Sequence, residues 1–282
     1  MLNRLLYRFS NNASLISLLR RLGLLKLAYR IRQTLYVLVL AQRQKVNPFS
    51  PPPNEGIPLP NLWQIVLVAG NVSMNSFLVR GKQGVEALTN MLTTQGLSFG
   101  DFHVVLDFGC GVGRVTRHLK PLSNWEIHGC DYNSALIAWC QKHLTFATFK
   151  VNQLAPPLPY SDAQFDLIFA FSVFTHLDEK LTHSWIRELA RVLRPGGYLV
   201  FSVMGEASAT RLKFNPAEWQ SFRAGNLVVR YGEASGMNMT GSFCNVEYVK
   251  SQMTQELTFI NYIPQGALGN PIQDLVLMRK PE

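Results

Sequence analysis

The sequence predicts an α/β fold, in which a mostly parallel sheet is covered by helices on both faces, closed by an antiparallel hairpin and preceded by a helical extension. Three observations carry this expectation. From Val104 onward, short apolar runs alternate with helix-like stretches, a pattern that specifies right-handed crossovers between parallel strands. The first two runs are joined through a turn with glycine at 109, 111 and 113. Two late runs, at 256–262 and 273–279, read as the closing antiparallel pair.

Taken in order, residues 1–46 form a basic helical arm. Leu15, Leu18, Leu19, Leu22, Leu25 and Tyr29 recur at helical spacing, with Arg20, Arg21, Lys26 and Arg30 largely off that stripe. Two readings of the arm stay open: a helix lying on an anionic membrane surface, or one packed on its own domain or on a partner subunit. Residues 47–62 carry Pro48, Pro51, Pro52, Pro53, Pro58 and Pro60, which exclude helix and central strand and mark a linker. The body, 63–282, begins with a helix expected near 83–95. Strands are then expected at 103–108, 126–131, 147–151, 165–171 and 197–203, with helices near 113–120, 133–144 and 179–193. The last of these helices has a buried stripe of Leu181, Trp185, Leu189 and Val192, and Pro195-Gly196-Gly197 ends it and turns the chain into the next strand. The section from Gly205 to Ser242 is less regular.

With 282 residues, 47% of them hydrophobic and 16% charged, the chain is globular rather than disordered. Its net charge of +9 does not indicate a nucleic-acid-binding body, because residues 1–45 hold nine Lys or Arg and no acid, leaving 18 charges of each sign elsewhere. The four cysteines, at 110, 130, 140 and 244, lack metal-site spacing, so no metal is expected and a reducing cytoplasm is the simple reading. No run near the N-terminus approaches the roughly 20 apolar residues that a bilayer needs. The longest, Thr34 to Gln42, is about half that.

The chemistry gathers around Val104-Val105-Leu106-Asp107-Phe108-Gly109-Cys110-Gly111-Val112-Gly113-Arg114 and the later Gly129-Cys130-Asp131. A dinucleotide fingerprint would place its third glycine at 114, where Arg114 stands. Asp131, 22 residues after Gly109, ends the second strand, where an ionised acceptor can take both hydroxyl protons of a ribose. A nucleoside without phosphates is implied. The chain here resembles the class I S-adenosylmethionine-dependent methyltransferases, whose first motif is an acidic residue followed by GxGxG. Further agreement comes from Leu158 to Ile168, from Ser172-Val173-Phe174-Thr175-His176-Leu177, and from Arg191-Val192-Leu193-Arg194-Pro195-Gly196-Gly197, each in the expected order. The resemblance runs from about Gly70 to the C-terminus and implies a Rossmann-like, seven-stranded methyltransferase fold.

What the resemblance implies can be carried residue by residue. S-adenosyl-L-methionine would be the cofactor, with Gly109, Cys110, Gly111 and Gly113 lining its methionine portion and Asp107 helping to fix the amino group. Asp131 would take the ribose hydroxyls, Tyr132 would border the adenine, and Asn152, Gln153 and Leu154 would meet its edge and face. Many members carry Asp where Asn152 stands. Phe171 and the two residues after it would pass beneath the sulfonium, and His176 is the candidate general base. Arg80 is either a partner for a carboxylate or a surface arginine.

Negative evidence narrows the acceptor. No [Asp/Asn]-Pro-Pro-aromatic tetrad follows the fourth strand and no Pro-Cys pair occurs, so nucleic acid is disfavoured. The expected function is methyl transfer to an O or N nucleophile of a small molecule, a sugar or a lipid-linked glycan. The alternative is a non-catalytic methyltransferase-like binding or scaffold protein.

Overall fold

The computed structural model describes residues 13–44, 56–70, 74–120, 125–270 and 272–282. Most of the expected linker, up to residue 55, therefore lies outside the described residues. The chain divides into two compact units, Met1–Met74 and Asn75–Glu282.

In the first unit the arm is two helices, α1 (Ala13–Arg21) and α2 (Leu25–Gln44), rather than one. Gly23, at φ 67°, breaks them, a conformation costly for any residue with a Cβ. The unit closes with α3 (Leu62–Ala69), started by a capping box in which Asn61 and Gln64 exchange side-chain and backbone bonds and stopped by left-handed Gly70. Val37 and Ala41 of α2 pack on Leu62 and Val66 of α3.

The second unit opens with α4 (Met74–Thr93), which starts well before the expected 83. Gly81 and Gly84 weaken the helical signal in the sequence, yet both serve packing: a Cβ on Gly81 would overlap the Arg114 carbonyl, and one on Gly84 would lie 2.8 Å from Val115 Cγ2. Nine strands follow among the described residues: β1 (Val104–Phe108), β2 (Glu126–Asp131), β3 (Thr148–Val151), β4 (Phe165–Ala170), β5 (Leu193–Val203), β6 (Val228–Arg230), β7 (Gly241–Phe243), β8 (Thr258–Ile263) and β9 (Asp274–Arg279). Seven form one sheet in the order β3-β2-β1-β4-β5-β9-β8. β3 to β5 run parallel through β2, β1 and β4, and β9 is antiparallel to both β5 and β8. The expected parallel sheet with its antiparallel hairpin is what forms. Strand order reverses between β1 and β4, the crevice where open α/β sheets bind ligands.

Every residue of β4 is buried, as a strand covered on both faces requires. One face packs Leu106, Ile168 and Phe201 against Trp185 and Leu189 of α6 (Glu179–Val192); the other packs Val105, Leu167 and Val200 against Leu88, Met91 and Leu92 of α4. α5 (Ser134–His143) crosses from β2 to β3.

Two expectations need correction. No α-helix occupies 113–120: the turn is followed only by a short 3-10 segment, Thr116–His118. Gly113 is left-handed and Pro121 follows, so too few helical residues remain to repay nucleation. The Pro-Gly-Gly segment also does not separate helix from strand. Leu193 already pairs with Phe165, and left-handed Gly196 bulges out before Tyr198 pairs with Leu167.

The irregular section after β5 holds α7 (Glu206–Arg211), α8 (Pro216–Arg223) and the β6/β7 hairpin, with α9 (Val246–Gln252) following. It has a small core of its own, Ala209, Phe214, Phe222, Val228 and Phe243. Arg230 lies 4.9 Å from the Phe214 ring and pairs with Glu218 at 2.6 Å.

Candidate active site

The site is built from the loops at the C-terminal ends of β1 to β4. Gly109 and Cys110 both donate their backbone N–H to the Cys130 carbonyl, at 2.8 and 3.0 Å, which ties the glycine turn to the end of β2. Gly109, Gly111 and Gly113 are all left-handed, at φ 74°, 56° and 64°. A Cβ on Gly109 would overlap Val173 Cγ2 and one on Gly113 would overlap Leu144. Gly109 thus lets the loop after β4 lie against the turn, while Gly113 serves packing beside α5.

Asp131 ends β2 with both oxygens engaged once: Oδ2 accepts from Gly111 N (3.1 Å) and Oδ1 from Asn133 N (2.8 Å). A carboxylate has about four lone-pair sites, so about two remain open. Burial raises its pKa, against those two backbone bonds. Asn152, on the neighbouring strand end, donates its backbone N–H to the Asp131 carbonyl (3.2 Å) and its Nδ2 to the Gln153 carbonyl (2.6 Å). Its Oδ1 is buried with no hydrogen-bond partner among the described residues. Such an orphan acceptor costs about 1–3 kcal/mol unless something donates to it. Tyr132 and Leu154 stand exposed beside this pair, 47% and 39%, and Gln153 is exposed as well.

Asp107 is buried under the turn and accepts from Thr116 Oγ1 at 2.5 Å. Burial pushes its carboxyl up to about 7, against the pull of Thr116 and Arg114. Arg114 is itself buried, donating to the Gly269 carbonyl (2.9 Å) and Asn270 Oδ1 (2.6 Å), which anchors the loop between β8 and β9. Cys110 points into the core, where burial raises its thiol far above the ordinary range, so only its backbone remains for a ligand. The Phe171 ring is likewise committed to packing, 5.7 Å from Phe169. Arg80 is half-buried, and its charge helps lower the Arg114 pKa, after burial.

His176 ends the 3-10 turn after β4. Its Nδ1 lies 2.6 Å from the Thr240 carbonyl, an acceptor only, so Nδ1 carries the proton. Nε2 is then an acceptor with no partner among the described residues. Burial lowers the pKa, so the ring is neutral at pH 7. Ser172, left-handed at φ 62°, is held by Ser202 Oγ, which accepts its N–H at 2.7 Å, and by Gln273 Nε2, which donates to its Oγ at 2.9 Å.

The irregular section supplies what sequence reasoning missed. The loop 231–240 is closed on itself by Thr240 Oγ1 donating to the Tyr231 carbonyl (2.9 Å). Three hydrogen bonds fasten it to two strand-end loops, those after β2 and β4. Tyr132 Oη donates to the Gly236 carbonyl (2.7 Å), Gly236 N to the His176 carbonyl (2.7 Å), and Asp178 N to Ser235 Oγ (2.8 Å). Leu154 packs so closely that a Cβ on Gly236 would overlap it. Gly236 and its polar neighbours signal a loop in the sequence, but no spacing reveals which strand ends it covers. Among the described residues no cluster of His, Cys, Asp or Glu could hold a metal ion.

The fold is Rossmann-like, an arrangement also found in the PH0226 protein from Pyrococcus horikoshii OT3 (TM-score 0.52, 17% identity, 77% of this chain and 96% of that one). Residues 106–201 match the family described as a methyltransferase domain. It is 30% identical over 112 residues to malonyl-[acyl-carrier protein] O-methyltransferase of Enterobacter lignolyticus (strain SCF1), covering 40% of this chain and 43% of the relative. It is 23% identical over 164 residues to phosphoethanolamine N-methyltransferase of Triticum aestivum, covering 54% and 32%. The chain thus spans less than half the length of these relatives.

The residues present fit S-adenosyl-L-methionine as cofactor. Asp131 has open acceptor sites for a vicinal diol, and the orphan Asn152 Oδ1 lacks the donor that an exocyclic amine would bring.

Proposed function

We propose that this chain transfers the methyl group of S-adenosylmethionine to an oxygen or nitrogen nucleophile of a small molecule, a sugar or a lipid-linked glycan. The observation that carries the reading is the pair of unfilled acceptors on adjacent strand ends, Asp131 and Asn152. When bound, S-adenosylmethionine supplies a methyl carbon on a sulfonium, with a neutral thioether as the leaving group. Asp131 holds the ribose hydroxyls, Asn152 Oδ1 accepts from the adenine amine, and Tyr132, Gln153 and Leu154 border the ring. The backbone of 109–113 lines the methionine portion, with Asp107 beneath it.

In this reading His176 takes the proton of an acceptor hydroxyl or amine on Nε2, which is supported by the Thr240 carbonyl making the other nitrogen the donor. General-base assistance of this kind is worth roughly 10²- to 10⁴-fold. Loop 231–240 is bonded to both His176 and Tyr132. The names of the relatives cover both O- and N-methylation, which supports methyl transfer without choosing between them. Four buried free thiols are in keeping with a reducing compartment such as the cytoplasm.

Calorimetry on the full chain with S-adenosylmethionine, followed by labelled-methyl transfer across hydroxyl, amine, sugar and glycolipid acceptors, tests the proposal. Binding and transfer to one class are expected. No binding by well-folded protein would overturn the reading, and binding without transfer to any class would assign the chain to the scaffold alternative.

A further inference from the structure

The arm carries its apolar residues on the face that its own unit leaves open. α2 buries Leu25, Val37 and Ala41, and Val37 and Ala41 meet α3. On the adjoining side Leu24, just before the helix, and Leu27, Ile31, Leu35 and Leu38 within it are exposed by 43%, 55%, 52%, 39% and 44%. At about 100° per residue these five fall within roughly a quarter of the helix circumference. Leu18 and Leu22 add to them, so residues 18–38 hold seven of the thirteen large hydrophobics exposed among the described residues. A concentration of this kind marks an interaction surface rather than scattered surface leucines.

Charge selects the occupant. Arg30 and Arg32 flank the stripe, about 100° to either side. Residues 1–45 contain no Asp or Glu. A second copy of the same face would bring cation against cation with nothing to neutralise it. An anionic bilayer offers both what the stripe and what its flanks require: hydrocarbon for leucine and isoleucine, and headgroup charge for arginine and lysine. Among the described residues no single helix is long and apolar enough to cross a membrane, so the helix would lie in the interface rather than span it.

We propose that α2, through Leu24, Leu27, Ile31, Leu35 and Leu38 flanked by Arg30 and Arg32, docks on the surface of an anionic lipid bilayer. The test is flotation of the full chain with vesicles of phosphatidylcholine alone or containing phosphatidylglycerol, at low, physiological and high salt. Binding should require the anionic lipid and fall with salt. Ile31→Glu should weaken it by about tenfold or more, since one large apolar side chain is withdrawn from hydrocarbon. Arg30→Gln should weaken binding to anionic vesicles about fivefold. Both positions are exposed, and unchanged circular dichroism and S-adenosylmethionine affinity would show that the fold persists. Absence of binding to anionic vesicles at low salt, or binding indifferent to Ile31→Glu, would overturn the proposal. So would a vesicle-inert dimer that Ile31→Glu dissociates, which would give the face to a second copy.

Discussion

Replacement of Asp131 by Ala gives the sharpest test of the cofactor site, because its effect can be worked from the bonds present. The carboxylate uses one lone pair per oxygen on Gly111 N and Asn133 N, leaving about two for the ribose. Each hydrogen bond to a charged group contributes roughly 1.5–3 kcal/mol. If water recovers one of the two, the loss is at least about 1.5 kcal/mol, just over tenfold in Kd; if it recovers neither, about 3–6 kcal/mol. The truncation also frees the Gly111 N–H and loosens the turn, so the effect belongs at or above the lower bound. Titration calorimetry with S-adenosylmethionine reads the change. A parallel titration with an analogue lacking the ribose hydroxyls separates the two contributions, because the Asp131→Ala penalty for that analogue should shrink to the turn-loosening part. A Kd unchanged within twofold, in a variant that keeps its melting temperature, would refute the assignment of the ribose to β2.

His176→Ala should lower kcat about 10²- to 10⁴-fold with little change in cofactor Kd; equal turnover would demote the residue to loop support. Because burial lowers the His176 pKa, the wild-type acid limb of kcat/KM should lie below pH 6.5, and a limb above that value would count against His176 as the base. Asp107 works in the opposite sense. Its folded pKa near 7 exceeds the unfolded 3.8, so the folded state binds the extra proton and stability falls as pH rises from about 4 to 7, by on the order of 4 kcal/mol. Asp107→Asn should flatten that slope in denaturant titrations, and an equal slope in both proteins would refute the buried-carboxyl account. Asn152→Ala removes an unpaired acceptor together with one bond to Gln153, so the melting temperature of the ligand-free protein should change little while cofactor Kd rises several-fold. A large loss of stability with unchanged Kd would make Asn152 structural. Gly109→Ala combines a left-handed backbone with an overlap on Val173 and should cost more than about 1 kcal/mol in chemical denaturation; a neutral result would mean that the two loops do not meet there.

The parallel sheet was legible because a strand buried on both faces leaves a continuous apolar run, as in Phe165–Ala170, and because glycines mark the turns between runs. Asp131 and Asn152 were legible for the same reason: they sit where an apolar run stops. Local pattern could not report long-range packing. Gly81 and Gly84 read as weaknesses in a helix until Arg114 and Val115 are seen to need the space. Cys110 shares the turn with its glycines, yet its thiol is turned inward. Thr240 and Gly236 act through backbone carbonyls and an N–H, groups that every residue but proline carries and no motif can flag. His176 could be chosen from its position, but its tautomer depends on a carbonyl 64 residues away.

The fastening of loop 231–240 ties together the two half-sites that the proposed function assigns. The same ten residues bond to Tyr132, which the proposed function puts beside the cofactor, and to His176, which it puts beside the acceptor. Any shift of the loop that admits one ligand alters what the other encounters, and reciprocity makes that factor equal in both directions. The cofactor therefore sets acceptor affinity as strongly as the acceptor sets cofactor affinity, and paired titrations of each ligand with and without the other must return the same ratio.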